Sequence, residues 1–442
     1  MRYWRAMNWS GGRWTRSGEQ RRIASLTTLL LGLLALAACG SPDTSAPTTA
    51  RVWAIHGTAP PMPRQLSVDA RAAQMVGHLS LDDKLGQMII VQYVHQTYTA
   101  QEADMVRGFH PGGVILYAYG MGTEQEVRDL LATGQHDSPI PMFTFTDEEG
   151  GYVDRLAPYL GWRMSAPQMA ATGDPTVAYH EGEKTAHDML SFGFNAALAP
   201  VTDVAVVMGP DQWGRTFGST PEPVITYAGA WLRGLQQGGV VGTLKHFPGL
   251  GAATTDAHTG LPLINRTRDE IESTELAPYR ALIASGQVHM IMSTDLLMPA
   301  LDPTMPAEIS KPIITGVLRN ELHYDGITMT DALYMQGVAD HWSFSQAATL
   351  AIEAGNDMIM APYSPEMVAG IVDHLKQAIA SGALSMAQVD NSVRRILATK
   401  IRFHLLPGPA LVAPGQHDGA SASVGPMGAT AQDADMPRQN AV

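Results

Sequence analysis

The sequence predicts a (β/α)8 barrel. Three observations carry the prediction: eight short apolar runs of strand character, helix-period segments between them, and polar residues placed just after runs three to seven. The strand candidates span 88–94, 113–118, 141–145, 196–201, 240–244, 288–292, 326–329 and 357–360. These runs are apolar throughout rather than alternating, as expected for strands covered on both faces, the environment of a parallel sheet wrapped in helices. Helical spacing is read over 124–134, 179–191, 225–237, 268–285, 311–322, 345–354 and 365–381. A doubly wound open sheet is the competing arrangement. The barrel is favoured because Asp147, Asp203, Lys245-His246, Asp295 and Asp331 each follow a strand candidate, the end where such barrels build active sites.

With 442 residues the chain can hold two average domains or one large barrel, and 45% apolar residues can fill its core. A net charge of −13 excludes the basic surface that nucleic acid requires. The start of the chain is different in kind. Arg13, Arg16, Arg21 and Arg22 precede an apolar run over 23–38, too short for a membrane span and patterned as a secretory signal. The segment ends Leu36-Ala37-Ala38-Cys39-Gly40, and Cys39 is the sole cysteine. A small-small-Cys ending resembles a bacterial lipobox, whose cysteine is lipidated and becomes the mature N-terminus; the competing reading is an ordinary signal with an incidental cysteine. The expected organisation is a lipoprotein signal over 1–39, a Ser/Thr/Pro-rich tether over 40–64, the barrel over 65–406 and a disordered tail over 407–442.

The chemistry-bearing residues fall into four stretches. Lys245-His246-Phe247-Pro248-Gly249-Leu250-Gly251 sets a cation and an imidazole at a strand end before a Pro/Gly loop. Asp256-Ala257-His258 follows, spaced so that the carboxylate can bond one ring nitrogen and leave the other for substrate, a pattern suited to acid/base work near neutral pH. A surface histidine with a casual neighbour is the plain alternative, and no further ligands stand at metal-site spacing. Asp331 follows the strand candidate 326–329, where an ionised carboxylate can attack an electrophilic carbon; the alternative is a helix N-cap. Asp147-Glu148-Glu149-Gly150-Gly151, with Asp154-Arg155 beyond, offers acceptors for a hydroxyl-rich ligand or an acidic turn paired with Arg155. Arg215, in Trp213-Gly214-Arg215-Thr216-Phe217-Gly218, is either a substrate contact or a loop-fixing ion pair.

Together these motifs resemble glycoside hydrolase family 3, and within it the NagZ-type bacterial β-N-acetylglucosaminidases, over roughly residues 80 to 405. The resemblance implies a retaining enzyme with Asp331 as nucleophile, His258 as acid/base and Asp256 as its partner. Asp147, Arg155, Arg215, Lys245 and His246 would hold the reacting sugar. The family commonly has Gly-His-Gly and then Asp-Thr after the loop proline, where this chain has Gly249-Leu250-Gly251-Ala252-Ala253, and a second Asp where this chain has Ala332. Relatives with a second domain draw their acid from it, and no large domain follows the barrel in this sequence, which favours the histidine dyad.

The expectation is an exported monomer, lipid-anchored through Cys39 at the outer face of a bacterial membrane. It would remove terminal β-linked N-acetylhexosamine from a small saccharide or muropeptide, with no metal, no cofactor and no nucleic-acid partner. A β-glucosidase or β-xylosidase on the same barrel is an alternative. Phosphorolysis is another, because a neutral imidazole does not repel incoming phosphate as a carboxylate would. A non-catalytic saccharide-binding lipoprotein is the reading from a different class.

Overall fold

The computed structural model describes residues 66–209, 214–256 and 260–406. Ten strands appear in chain order: β1 Ile89–Tyr93, β2 Gly113–Leu116, β3 Phe143–Thr146, β4 Glu148–Gly150, β5 Val153–Asp154, β6 Ala196–Ala197, β7 Val241–Phe247, β8 Met290–Ser293, β9 Ile327–Ala332 and β10 Met358–Met360. Eight of them close a parallel barrel in the order β1-β10-β9-β8-β7-β6-β3-β2, while β4 and β5 form a separate antiparallel hairpin. Pairing of Ile89 with Ile359 and of Ile90 with Met360 joins the first strand to the last, which excludes the open sheet. The expected Cys39 anchor, the 1–39 signal, the 40–64 tether and the 407–442 tail lie outside the described residues.

Many of the helices begin where the sequence supplies a cap. Thr123 and Glu126 form a reciprocal capping box at the start of Glu124–Asp137, and Ser343 and Gln346 do the same for Phe344–Ala354. Gly193 and Gly355 end their helices in the left-handed conformation that glycine adopts without penalty. Several expected bounds shift. The helix expected over 268–285 is two, Arg268–Ser273 and Leu276–Ala284, separated where Glu275 turns inward and is buried. The segments expected over 225–237 and 311–322 contain π-helical turns, Val224–Ala228 and Pro312–Glu321. The helices the periodicity did not single out include Val68–Val76, Leu81–Gln87, Ala100–Phe109 and Met386–Arg402.

Two strand bounds matter for the site. Strand β6 is only two residues long: Pro200 has no N–H to donate, so pairing resumes only as a bridge between Val201 and Lys245. Strand β7 runs past its apolar stretch through Lys245, His246 and Phe247, all buried. Asp331 is likewise inside β9 and caps no helix, which corrects the strand end expected at 329.

The end of the barrel opposite the site is closed by the helix Met386–Arg402. Lys400 on that helix is fully buried and donates to Gln87 Oε1 at 2.7 Å, with its ammonium 5.3 Å from the Phe143 ring centre. Gln87 is held in that orientation because its amide nitrogen donates to the carbonyls of His110 and Pro111. Burial pushes Lys400 down to about 7. An unfolded lysine titrates near 10.4. Between these values the unfolded chain binds a proton that the folded chain does not, so stability rises with pH and is lost as pH falls toward 7. Lys400→Met should reduce the gain in unfolding free energy between pH 7 and pH 9 by on the order of 2 kcal/mol, measured by urea titration. An unchanged pH dependence would show that the lysine is not neutral in the fold.

Candidate active site

The hairpin β4–β5 follows β3 directly, and strand parity assigns its acids. Residues two apart share a face, and Asp147 and Glu149 both reach Lys245 while Glu148 between them does not. The Lys245 ammonium lies 2.8 Å from Asp147 Oδ1 and 2.7 Å from Glu149 Oε1. Glu149 also accepts two bonds from Arg215, 2.9 Å from Nε and 2.8 Å from Nη2. Arg155 places Nη2 4.0 Å from Asp147 Oδ2. Glu148 faces the other way, onto buried Arg163, which also binds Asp154 at 2.8 Å and Asp188 at 2.9 Å. The turn Gly150-Gly151 has φ of 80° and 62°, and a Cβ on Gly150 would fall 2.3 Å from the Met164 carbonyl oxygen. Only glycine fits there.

Electrostatics fix the charge states. Burial disfavours ionisation of Glu149, but Arg215 and Lys245 outweigh it and hold the carboxyl well below the usual range. For Asp147 burial is likewise opposed and overcome by Lys245 and then Arg155. Burial would lower Lys245, yet Asp147 and Glu149 raise it above its ordinary value. The cluster is therefore ionised throughout at neutral pH, with each buried charge paired.

His246 is set by Asp203. Its Nδ1 lies 2.7 Å from Asp203 Oδ2, and because a carboxylate only accepts, Nδ1 carries the proton and Nε2 is left for other partners. Asp203 Oδ1 also accepts the backbone N–H groups of His246, at 3.2 Å, and Leu250, at 2.7 Å. That pins the start of the Pro/Gly loop. Gly251 then passes so close that a Cβ would lie 1.8 Å from the Val204 carbonyl oxygen.

Asp331 is half-buried on β9. Its Oδ1 accepts the Ala332 N–H at 2.8 Å and its Oδ2 accepts Thr294 Oγ1 at 3.3 Å. Tyr117, after β2, joins Asp331 to the charged cluster: burial, then Tyr334, Asp147 and Asp331 around it, push its hydroxyl well above the usual range. Behind Asp331 lies fully buried Glu308. Burial first, and then Asp295 and Asp331, raise its carboxyl well above the usual range, which favours its neutral form next to Asp331.

Asp147, Arg155, Arg215, Lys245, His246 and Asp331 are thus gathered at one end of the barrel. Asp256 is half-buried in the following loop, and His258 lies outside the described residues. Among the described residues no group of three or more His, Cys, Asp or Glu is disposed to hold a metal ion. Sequence reading places Glu149 in its acidic motif without singling it out, and it does not reach the role of Asp203, Tyr117, Tyr334 or Glu308. The i, i+2 spacing from Asp147 was the available signal for Glu149; the others are brought in from distant strands.

The sequence matches the description "Glycosyl hydrolase family 3 N terminal domain" over residues 80–399. It is 32% identical over 391 residues to "Beta-hexosaminidase LpqI" of Mycobacterium tuberculosis (strain ATCC 25618 / H37Rv), covering 86% of this chain and 97% of that protein. The structure is similar to a glycoside hydrolase family 3 β-N-acetylglucosaminidase from Paenibacillus sp. str. FPU-7, with a TM-score of 0.71 and 31% identity, covering 78% of this chain and 66% of that one. It is also similar to the β-glucoside phosphorylase BglX, with a TM-score of 0.67 and 28% identity, covering 77% and 62%.

Asp203→Ala would remove the acceptor of three hydrogen bonds in a buried setting. Unfolding free energy should fall by about 2–5 kcal/mol in urea titrations. A loss under about 0.5 kcal/mol would mean that these bonds are not formed.

Proposed function

The chain belongs to glycosyl hydrolase family 3, and on that premise we propose that it is a retaining exo-β-N-acetylglucosaminidase acting on cell-wall saccharide fragments. The observation that carries the reading is the buried, fully paired cluster of Asp147, Glu149, Lys245 and Arg215 with Asp331 across from it. Fixed charges of both signs suit the hydroxyl groups of a single terminal sugar, and the lone carboxylate Asp331 suits attack at its anomeric carbon. The similarity to proteins named as β-hexosaminidases supports N-acetylglucosamine over glucose.

In the proposed reaction Asp331 attacks the anomeric carbon while His258 protonates the departing oxygen, and the glycosidic bond breaks. The sugar is then an ester of Asp331. His258, now neutral, takes a proton from water as that water attacks the same carbon, releasing the sugar with its configuration retained and Asp331 as carboxylate. Asp256 would orient His258. This differs from the usual two-carboxylate arrangement.

A second reading, phosphorolysis, is favoured by the structural similarity to a β-glucoside phosphorylase. Phosphate would attack the ester in place of water and yield a sugar 1-phosphate.

The chain is further proposed to be exported and held at the membrane by a lipid on Cys39. The signal-like segment ending in the sole cysteine supports this. Among the described residues no helix is long and apolar enough to cross a membrane. A Cys39→Ala chain should leave the membrane fraction; its full retention there would exclude this anchor.

Chromogenic β-N-acetylglucosaminide should be cleaved at least about tenfold better in kcat/KM than the matching β-glucoside, a difference of about 1.4 kcal/mol in the transition state. The reverse preference would refute the sugar assignment. Appearance of sugar 1-phosphate on adding phosphate would select the second reading.

A further inference from the structure

The mouth of the barrel has two unlike halves. The charged half is built from the β3 exit, the β4–β5 hairpin and β7. The other half follows β9, β10, β1 and β2, which are consecutive neighbours in the barrel, and it is aromatic. Tyr334 follows β9, Tyr363 follows β10, and Tyr117 and Tyr119 follow β2.

These rings form a connected set. Tyr117 and Tyr334 both pack against the hydrophobic core at the barrel mouth. Tyr334 meets Tyr363 edge-on at 6.4 Å. Tyr117 and Tyr119 stack with centres 6.0 Å apart and planes inclined by 26°. The order of the rings gives the set a direction. Tyr117 directly follows β2, which pairs with β3, and Asp147 directly follows β3, so Tyr117 borders the reacting centre. Tyr119, stacked on it, is 42% exposed. Exposure is not looseness, because the Tyr119 hydroxyl accepts a hydrogen bond from Gln92 on β1. The ring is thus held at one edge by its neighbour and at its hydroxyl by a strand residue, while much of its surface remains open to solvent.

A rigid aromatic surface beside a sugar site has a definite ligand. A pyranose with equatorial hydroxyls presents a face of axial C–H groups, which is apolar and flat enough to lie on a ring whose face is electron-rich. We propose that Tyr119, presented by Tyr117, is the floor of the subsite for the leaving group, and that it selects a second pyranose ring over a small alcohol. This rests on the reading of Asp331 and Asp147 as the reacting centre. The ring next outward from that centre is where the group beyond the scissile bond would come to rest.

The test compares two substrates with the same reacting sugar. One is N,N′-diacetylchitobiose, whose leaving group is a pyranose; the other is methyl β-N-acetylglucosaminide, whose leaving group is methanol. The quantity read is the ratio of their kcat/KM values. Tyr119→Ala should lower that preference for the disaccharide by about 2- to 10-fold, the range of one aromatic contact. Tyr119→Phe, which keeps the ring and loses the hydroxyl, should retain most of it. A ratio unchanged in Tyr119→Ala overturns the proposal, and so does a ratio lost equally in both variants. A wild-type enzyme that cleaves neither substrate overturns the underlying reading and this subsite with it.

Discussion

The ammonium of Lys245 holds the site together. It is buried at the end of β7, and a buried cation is stable in that position only when paired. Its partners, Asp147 and Glu149, come from the chain leaving β3, so one ion cluster ties two separate strands of the barrel mouth. The rest follows from that requirement. Asp147 and Glu149 must share a face, so Glu148 must take the other, and it needs Arg163 there. Asp147 and Glu149 together carry more negative charge than Lys245 alone can balance, and Arg215 makes up the difference through two bonds to Glu149. What results is a set of preorganised charges that a hydroxyl-rich ligand can exchange for its own hydrogen bonds.

The two ends of the barrel solve different problems. At the closed end, Asp357 accepts from Thr328 N–H at 2.9 Å, from Ser392 at 2.7 Å and from Arg319 at 2.6 Å, locking β9, β10 and the final helix together. Lys400 fills the space beneath Phe143, where burial pushes its amine down to about 7. At the open end the polar groups are ionised and converge. Glu308 is the exception there: burial behind Asp331 raises its carboxyl and favours the neutral form, which limits negative charge beside Asp331. Stability and chemistry are thus separated along the barrel axis, as is general for this architecture.

The barrel was legible because buried parallel strands are apolar at every position, and eight such runs survive in the sequence. The bounds were less so. Lys245 and His246 look like a strand exit, which sets the expected end of β7 at Leu244; they continue the strand because Asp147 and Glu149 pair with the ammonium and Asp203 accepts from the imidazole, and that information is not local. Asp331 was read one step too far out for the same reason. That it shares the barrel mouth with Asp147 depends on barrel closure, which no spacing along the chain encodes. Tyr117, Tyr119 and Tyr334 carried no motif at all. Single tyrosines after strands are unremarkable until closure sets β2 two places from β10 and next to β1.

The central claim is that Asp331 is the carboxylate that bonds to sugar, opposite a cluster that only holds it. An activated fluoro-sugar derivative of N-acetylglucosamine, incubated with the enzyme and followed by peptide mapping with mass spectrometry, tests this directly. The account predicts a single covalent adduct on Asp331. An adduct on Asp147 or Glu149, or steady turnover with Asp331 never modified, would contradict it.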